Sequence, residues 1–159
     1  MGERVASEGD LDGTGLRIGV CCGRFNQHIT DRLLTSTRRS LAEHGVAEAD
    51  TTIVWVPGAY ELPLVSQALV TQWQADAVIA LGAVIRGETG HYDLVAGECA
   101  AGLQRVQLDT GVPVVFGVLT TENEEQALAR SGDGEDKGEE FAEVAIEMVN
   151  LLKSLPRQA

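Results

Sequence analysis

Four apolar runs alternating with helical stretches predict a three-layer α/β sandwich, a four-stranded parallel sheet flanked by helices on both faces. Three observations carry this. The runs are short and rich in β-forming residues. Each is followed by a stretch with apolar residues every three to four positions, and short right-handed crossovers place such helices over a sheet. The third run, Ala77 to Ile85 (AVIALGAVI), is apolar throughout, as a strand covered on both faces requires.

Residues 1–15 hold Gly2, Gly9, Gly13 and Gly15 among four acids without periodicity, and read as a flexible N-terminal arm. Residues 16–159 then form a single domain. Arg17 to Cys22 is the first strand, stopped by Gly23. From Gln27 to Glu43 the apolar positions Ile29, Leu33, Leu34 and Leu41 keep helical spacing, and Gly45 ends the helix. Thr51 to Val56 is the second strand, closed by Pro57 and Gly58. Leu62 to Gln72 is helical, with Pro63 tolerated in the first turn because its missing N–H has no helical partner there. After the third strand, His91 to Leu108 is a helix with Val95, Cys99, Leu103 and Val106 on one stripe. Val112 to Leu119 is the fourth strand, and Asn123 to Ala129 a short helix. A polar loop leads to a last helix, Gly138 to Leu155, marked by Phe141, Val144, Ala145, Met148, Leu151 and Leu152.

The chain has 159 residues, 24 acidic against 12 Lys and Arg, for a formal charge of −12. Such a domain lacks the positive field that drives binding to nucleic acid or anionic membranes, so neither is expected as a partner. No apolar run approaches the ~20 residues of a membrane span, and the N-terminus lacks the apolar core of a signal peptide. Cys21, Cys22 and Cys99 lie in apolar surroundings and read as reduced thiols of a cytoplasmic protein. No metal site is expected, since CxxC spacing is absent. Neither GxxxxGK[ST] nor a GxGxxG after the first strand occurs.

In open parallel sheets ligands lie at the carboxyl ends of the strands. Here the four exits carry Arg24-Phe25-Asn26, Pro57 to Glu61, Arg86 to His91 and Thr120 to Asn123, whereas the opposite ends carry bland turns such as Glu48-Ala49-Asp50. The third exit is the richest. Gly87 and Gly90 let backbone amides approach a ligand, and the loop runs into a helix N-terminus, which favours an anion. Thr89 adds a hydroxyl and Arg86 a charge, or Thr89 caps the helix. His91 sits where the helix dipole favours the neutral, proton-accepting imidazole, or is an exposed first-turn residue. Phe25 either stacks on a planar heterocycle or plugs the sheet end. Glu61 either accepts from ligand hydroxyls or is a favourable N-terminal helix charge. Arg130 and Lys137 either reach a phosphate or form a solvated pair in an acidic loop. Taken together, Arg86, Arg130, Lys137 and the helix N-terminus are expected to form one local positive pocket.

The run Leu81-Gly82-Ala83-Val84-Ile85-Arg86-Gly87-Glu88-Thr89-Gly90-His91-Tyr92-Asp93 resembles the signature of the 6,7-dimethyl-8-ribityllumazine synthases of riboflavin biosynthesis. The likeness extends through Arg24-Phe25-Asn26, Pro57 to Pro63, Phe116 to Thr120 and Asp136-Lys137-Gly138, in order, over about residues 16 to 155. It implies a flavodoxin-like sandwich. It also implies condensation of 5-amino-6-(D-ribitylamino)uracil with 3,4-dihydroxy-2-butanone 4-phosphate, without a cofactor. By the resemblance Phe25 stacks on the pyrimidine, Ala59, Tyr60 and Glu61 border the pyrimidine and ribityl chain, and Ala83, Val84 and Ile85 contact the heterocycle. Glu88 and Thr89 hold the phosphate and His91 transfers protons. Phe116, Arg130 and Lys137 come from a neighbouring subunit, Arg130 on the phosphate and Lys137 near the reacting centre. The partners implied are two small-molecule substrates and further copies of the chain, as a homopentamer, a decamer or a 60-subunit capsid. Gly90 departs from the Pro or Thr common there, and the 131–136 loop is unusually short and acidic. A silent flavin-binding module and a structural shell protein are the rival readings; the presence of both His91 and Arg130 favours the enzyme.

Overall fold

The computed structural model describes residues 8–156. Its four strands are β1 (Ile18–Gly23), β2 (Thr51–Val56), β3 (Ala77–Ile85) and β4 (Val114–Thr121), all parallel in the order β2-β1-β3-β4. The helices are α1 (Gln27–Glu43), α2 (Leu62–Thr71), α3 (His91–Thr110), α4 (Glu124–Arg130) and α5 (Lys137–Ser154). The architecture is the flavodoxin-like α/β sandwich expected from the sequence.

Side-chain alternation along the strands divides the core in two. Ile79, Leu81 and Ala83 of β3 join Ile18, Val20 and Cys22 of β1 beneath α1 and α5. Val78, Ala80 and Val84 face the other way, with Cys21, toward Leu62, Leu69, Cys99 and Leu103 of α2 and α3. Continuous apolarity in β3 is therefore a consequence of its two buried faces, and eight of its nine residues are buried.

Several boundaries move for identifiable reasons. β4 starts at Val114 because Pro113 has no N–H to give the ladder, although its carbonyl accepts from Val78 N at 2.9 Å. α3 runs on to Thr110 and stops at Gly111, whose left-handed φ of 70° supplies the C-terminal turn. Asn123 and Asp136 lie just outside α4 and α5 as side-chain caps, accepting from Gln126 N at 2.9 Å and Glu139 N at 3.3 Å.

Residues 1–7 of the expected arm lie outside the described residues. Residues 8–15 are fastened rather than loose. Asn150 of α5 donates to the Asp10 and Asp12 carbonyls at 2.9 Å, and Gly13 N donates to His44 O at 2.7 Å. Gly9 lies so close to α5 that a Cβ there would meet the Glu147 carbonyl.

Candidate active site

The carboxyl ends of β1, β2 and β3 open into a cavity of about 850 Å³ on the α2/α3 side of the sheet. That size suits a small planar ligand. Phe25, Ala59, Tyr60, Glu61, Ala83, Val84, Ile85, Thr89 and His91 all line it. Phe25 is 74 % exposed, a large apolar ring held in the open by the backbone beneath it. Asn26 takes a left-handed φ of 58°, tolerable for Asn, and its side-chain amide donates to the Ala83 carbonyl at 3.0 Å. Phe25 N donates to Pro57 O at 3.0 Å. These bonds tie the β1 exit to β2 and β3 and leave the Phe25 ring over the cavity; it is no plug for the sheet. Tyr60, also exposed, and Glu61 stand in a single 3₁₀ turn leading into α2, so two cavity-lining side chains come from consecutive positions.

The loop from Gly87 to Gly90 is exposed throughout. Its four successive amides donate to no group among the described residues. Neither Gly87 nor Gly90 takes a left-handed conformation, and a Cβ at either would stand in open space. The chain's own packing does not require these glycines; they leave the amides accessible from outside. Thr89 is not the N-cap of α3, which is Gly90, but its hydroxyl oxygen accepts from His91 N two residues on at 3.3 Å, leaving its proton for another acceptor. Glu88 is exposed in the same loop and does not line the cavity.

The remaining predicted residues lie elsewhere. Phe116, Arg130 and Lys137 border a second cavity of about 550 Å³, between the edge strand β4 and α5, which shares no residue with the first. Phe116 is 41 % exposed on β4. Arg130, at the end of α4, donates to the Gln126 carbonyl at 2.9 Å and forms no ion pair among the described residues. Lys137 is held by Glu135 and Glu140, each at 3.0 Å. The hydrogen bonds to these carboxylates, Glu135 first, raise the Lys137 ammonium above the usual lysine range. It is a firmly charged donor, not a base.

The single positive pocket expected from the sequence is therefore not formed within one chain. Arg86 lines neither cavity and bonds Glu122 and Asp93 instead. Sequence spacing cannot show this, because Glu122 lies 36 positions away in the chain. Two further residues escaped sequence reasoning. Arg32 donates to the Ser131 carbonyl at 3.1 Å and pairs with Asp133, and Arg39 bonds Asp136 at 2.8 Å. From α1 they pin the acidic 131–136 loop that sets Lys137 in place. Among the described residues no three His, Cys, Asp or Glu side chains converge as a metal-ligand set, and no helix is long and apolar enough to cross a membrane.

Comparison of the sequence with known families matches residues 15–153 to 6,7-dimethyl-8-ribityllumazine synthase. The chain belongs to that family. The match spans every strand and all but the last residue of α5, and it takes in the whole lining of the first cavity and all of the second's but Leu11. Membership carries the class of activity, that of a lumazine-forming enzyme of riboflavin biosynthesis acting on small molecules.

Proposed function

We propose that the chain catalyses the condensation of 5-amino-6-(D-ribitylamino)uracil with 3,4-dihydroxy-2-butanone 4-phosphate, giving 6,7-dimethyl-8-ribityllumazine, phosphate and water. The observation that carries this reading is the division of the site residues into two complementary parts. The first cavity offers an exposed ring for a heterocycle, a carboxylate for ribityl hydroxyls and a row of free amides for phosphate. The second offers another exposed ring, a guanidinium with no ion pair among the described residues, and an ammonium. A ring of copies, each setting its β4 edge against the next one's cavity, completes every site once per interface. A pentamer is the assembly this reading adopts.

In such a site Phe25 and Phe116 contribute apolar ring faces to the pyrimidine, Glu61 accepts from the ribityl chain, and the backbone at Ala83 to Ile85 borders the ring. The amine of the pyrimidine attacks the ketone and a first water leaves to form the imine; elimination then expels phosphate, the resulting enol tautomerises to a ketone, and attack of the ribitylamino nitrogen on that carbonyl closes the ring and expels a second water. His91, at the mouth of the phosphate loop, moves the protons of these steps. Arg130, the amides of residues 87–90 and the Thr89 hydroxyl face the departing phosphate, whose charge grows as the bond breaks. Lys137 donates near the reacting centre. Holding two substrates in register supplies much of the remaining acceleration.

The direct test supplies both substrates and follows the absorbance of the lumazine; product formation is expected, and none would reduce the chain to a binding module. Shared sites have their own test. Phe25→Ala and Arg130→Ala chains, each impaired alone, are dissociated together and reassembled. About a quarter of the interfaces then join two intact halves, and activity returns in proportion. Sites contained in one chain give no recovery.

A further inference from the structure

Arg86 is the residue of the third exit whose side chain is held by several groups of the protein itself. Its amide donates to Thr121 O at 2.9 Å, at the end of β4. Its Nε bonds a Glu122 carboxylate oxygen at 2.9 Å, in the connection from β4 to α4. Its Nη2 reaches Asp93 at 3.4 Å, and the guanidinium lies over the Tyr92 ring at 4.2 Å, both in the first turn of α3. The loop of free amides, residues 87–90, lies between Arg86 and His91. One planar cation thus joins the start of that loop, the segment beyond its far end and the neighbouring strand exit.

We propose that Arg86 is a positioning residue, a clamp across the base of the 87–90 loop that fixes the spacing of its amides, Thr89 and His91, and is not itself an anion ligand. This rests on the reading of that loop as the phosphate site. Charge supports the assignment: two carboxylates against one guanidinium leave the group net negative, so it exerts no attraction on a phosphate. Shape supports it as well. A planar guanidinium can hold an ion pair through Nε, a hydrogen bond through Nη2 and an aromatic ring beneath its central carbon at the same time, which a lysine ammonium cannot.

The test compares Glu122→Gln and Arg86→Lys with the wild-type chain. It reads the KM of each substrate, competition by inorganic phosphate, and amide hydrogen exchange of residues 87–91. If Arg86 bound phosphate directly, Glu122→Gln would free it, remove a negative charge and tighten phosphate binding. The clamp has the opposite sign. Glu122→Gln weakens inorganic phosphate and raises the KM of the phosphate-bearing substrate by about threefold. Arg86→Lys does so by about tenfold, the worth of one well-placed charge-assisted anchor. The KM of the pyrimidine stays unchanged, and exchange in the loop accelerates. Tighter phosphate binding in Glu122→Gln, full retention in Arg86→Lys, or parallel rises in both KM values would each overturn the clamp. If the wild-type chain forms no lumazine, the synthase reading fails separately, and phosphate binding with loop exchange still decides the role of Arg86.

Discussion

The two halves of the site are built on opposite plans. Around the larger cavity the chain is lightly made: Gly87 and Gly90 face open space, Phe25 and Tyr60 stand exposed, and four amides have no partner among the described residues. Along the β4–α5 edge it is tight. A Cβ on Gly117 would come within 2.6 Å of the Ala80 carbonyl and 3.0 Å of the Phe141 ring. One on Gly138 would lie 2.5 Å from the Leu33 carbonyl and 2.9 Å from the Ser36 Cβ, because α5 crosses α1 there at backbone contact, with Thr37 donating to Gly138 O. Glycine serves the fold at the edge and the ligand in the cavity. The half that presents cations rigidly is braced by its own packing; the half that receives substrate keeps its contacts free.

The largest expected effect breaks the braced half. Gly138→Ala forces apart two helices that meet there at backbone contact, and costs about 3 kcal/mol. Chemical denaturation measures this, and a midpoint equal to wild type would show that α1 and α5 are not held at that distance. Within the cavity the effects fall on catalysis and leave folding intact. His91→Ala lowers turnover by about 10²-fold, the low end for a lost proton-transfer group, since both substrates remain positioned. Wild-type turnover in that variant would move the proton-transfer role elsewhere.

Arg130→Ala comes next. Its guanidinium forms no ion pair among the described residues, so stability is preserved while the KM of the phosphate-bearing substrate rises about tenfold. An unchanged KM removes Arg130 from the phosphate. Gly90→Ala sharpens the contrast with Gly138. At φ −70° alanine fits the backbone without strain, so stability holds or rises by up to about 1 kcal/mol. The KM for phosphate worsens nonetheless, because the methyl group crowds the amides. A loss of stability without a change in KM would reverse the assignment of that glycine.

The layer arrangement and the doubly covered place of β3 were readable from the sequence because β3 is apolar at every position and the helices keep a 3.6-residue period; the strand order β2-β1-β3-β4 was not. The cavity was readable because its lining clusters at three consecutive strand exits. The sequence does not reveal pairing across distance. Nothing local marks Glu122 as the partner of Arg86, nor Arg32 and Arg39 as anchors of the 131–136 loop. The arm at residues 8–15 reads as loose because its hydrogen bonds go to Asn150 and His44, whose proximity only the finished fold creates. Side chains that fill a layer follow periodicity, while side chains that bridge layers do not.

The smallest effect tests whether the two halves differ only at their surfaces. Cys21 and Cys99 lie in the core beneath the cavity, and Cys22 in the core beneath α1 and α5. Burial pushes the thiols of Cys21 and Cys22 up to about 12, and that of Cys99 to about 11. A folded-state value above the unfolded one means that the folded chain keeps protons the unfolded chain releases. This contribution is complete below the ordinary thiol value near 9 and declines as pH climbs through the folded values. Denaturation midpoints therefore fall between pH 9 and 11, and a thiol reagent at pH 8 labels none of the three until the chain unfolds. Prompt labelling of Cys21 and Cys99 alone would show that the lightly built half opens down to its core. Uniform protection places the whole difference in the loops and edges, where the substrates are received.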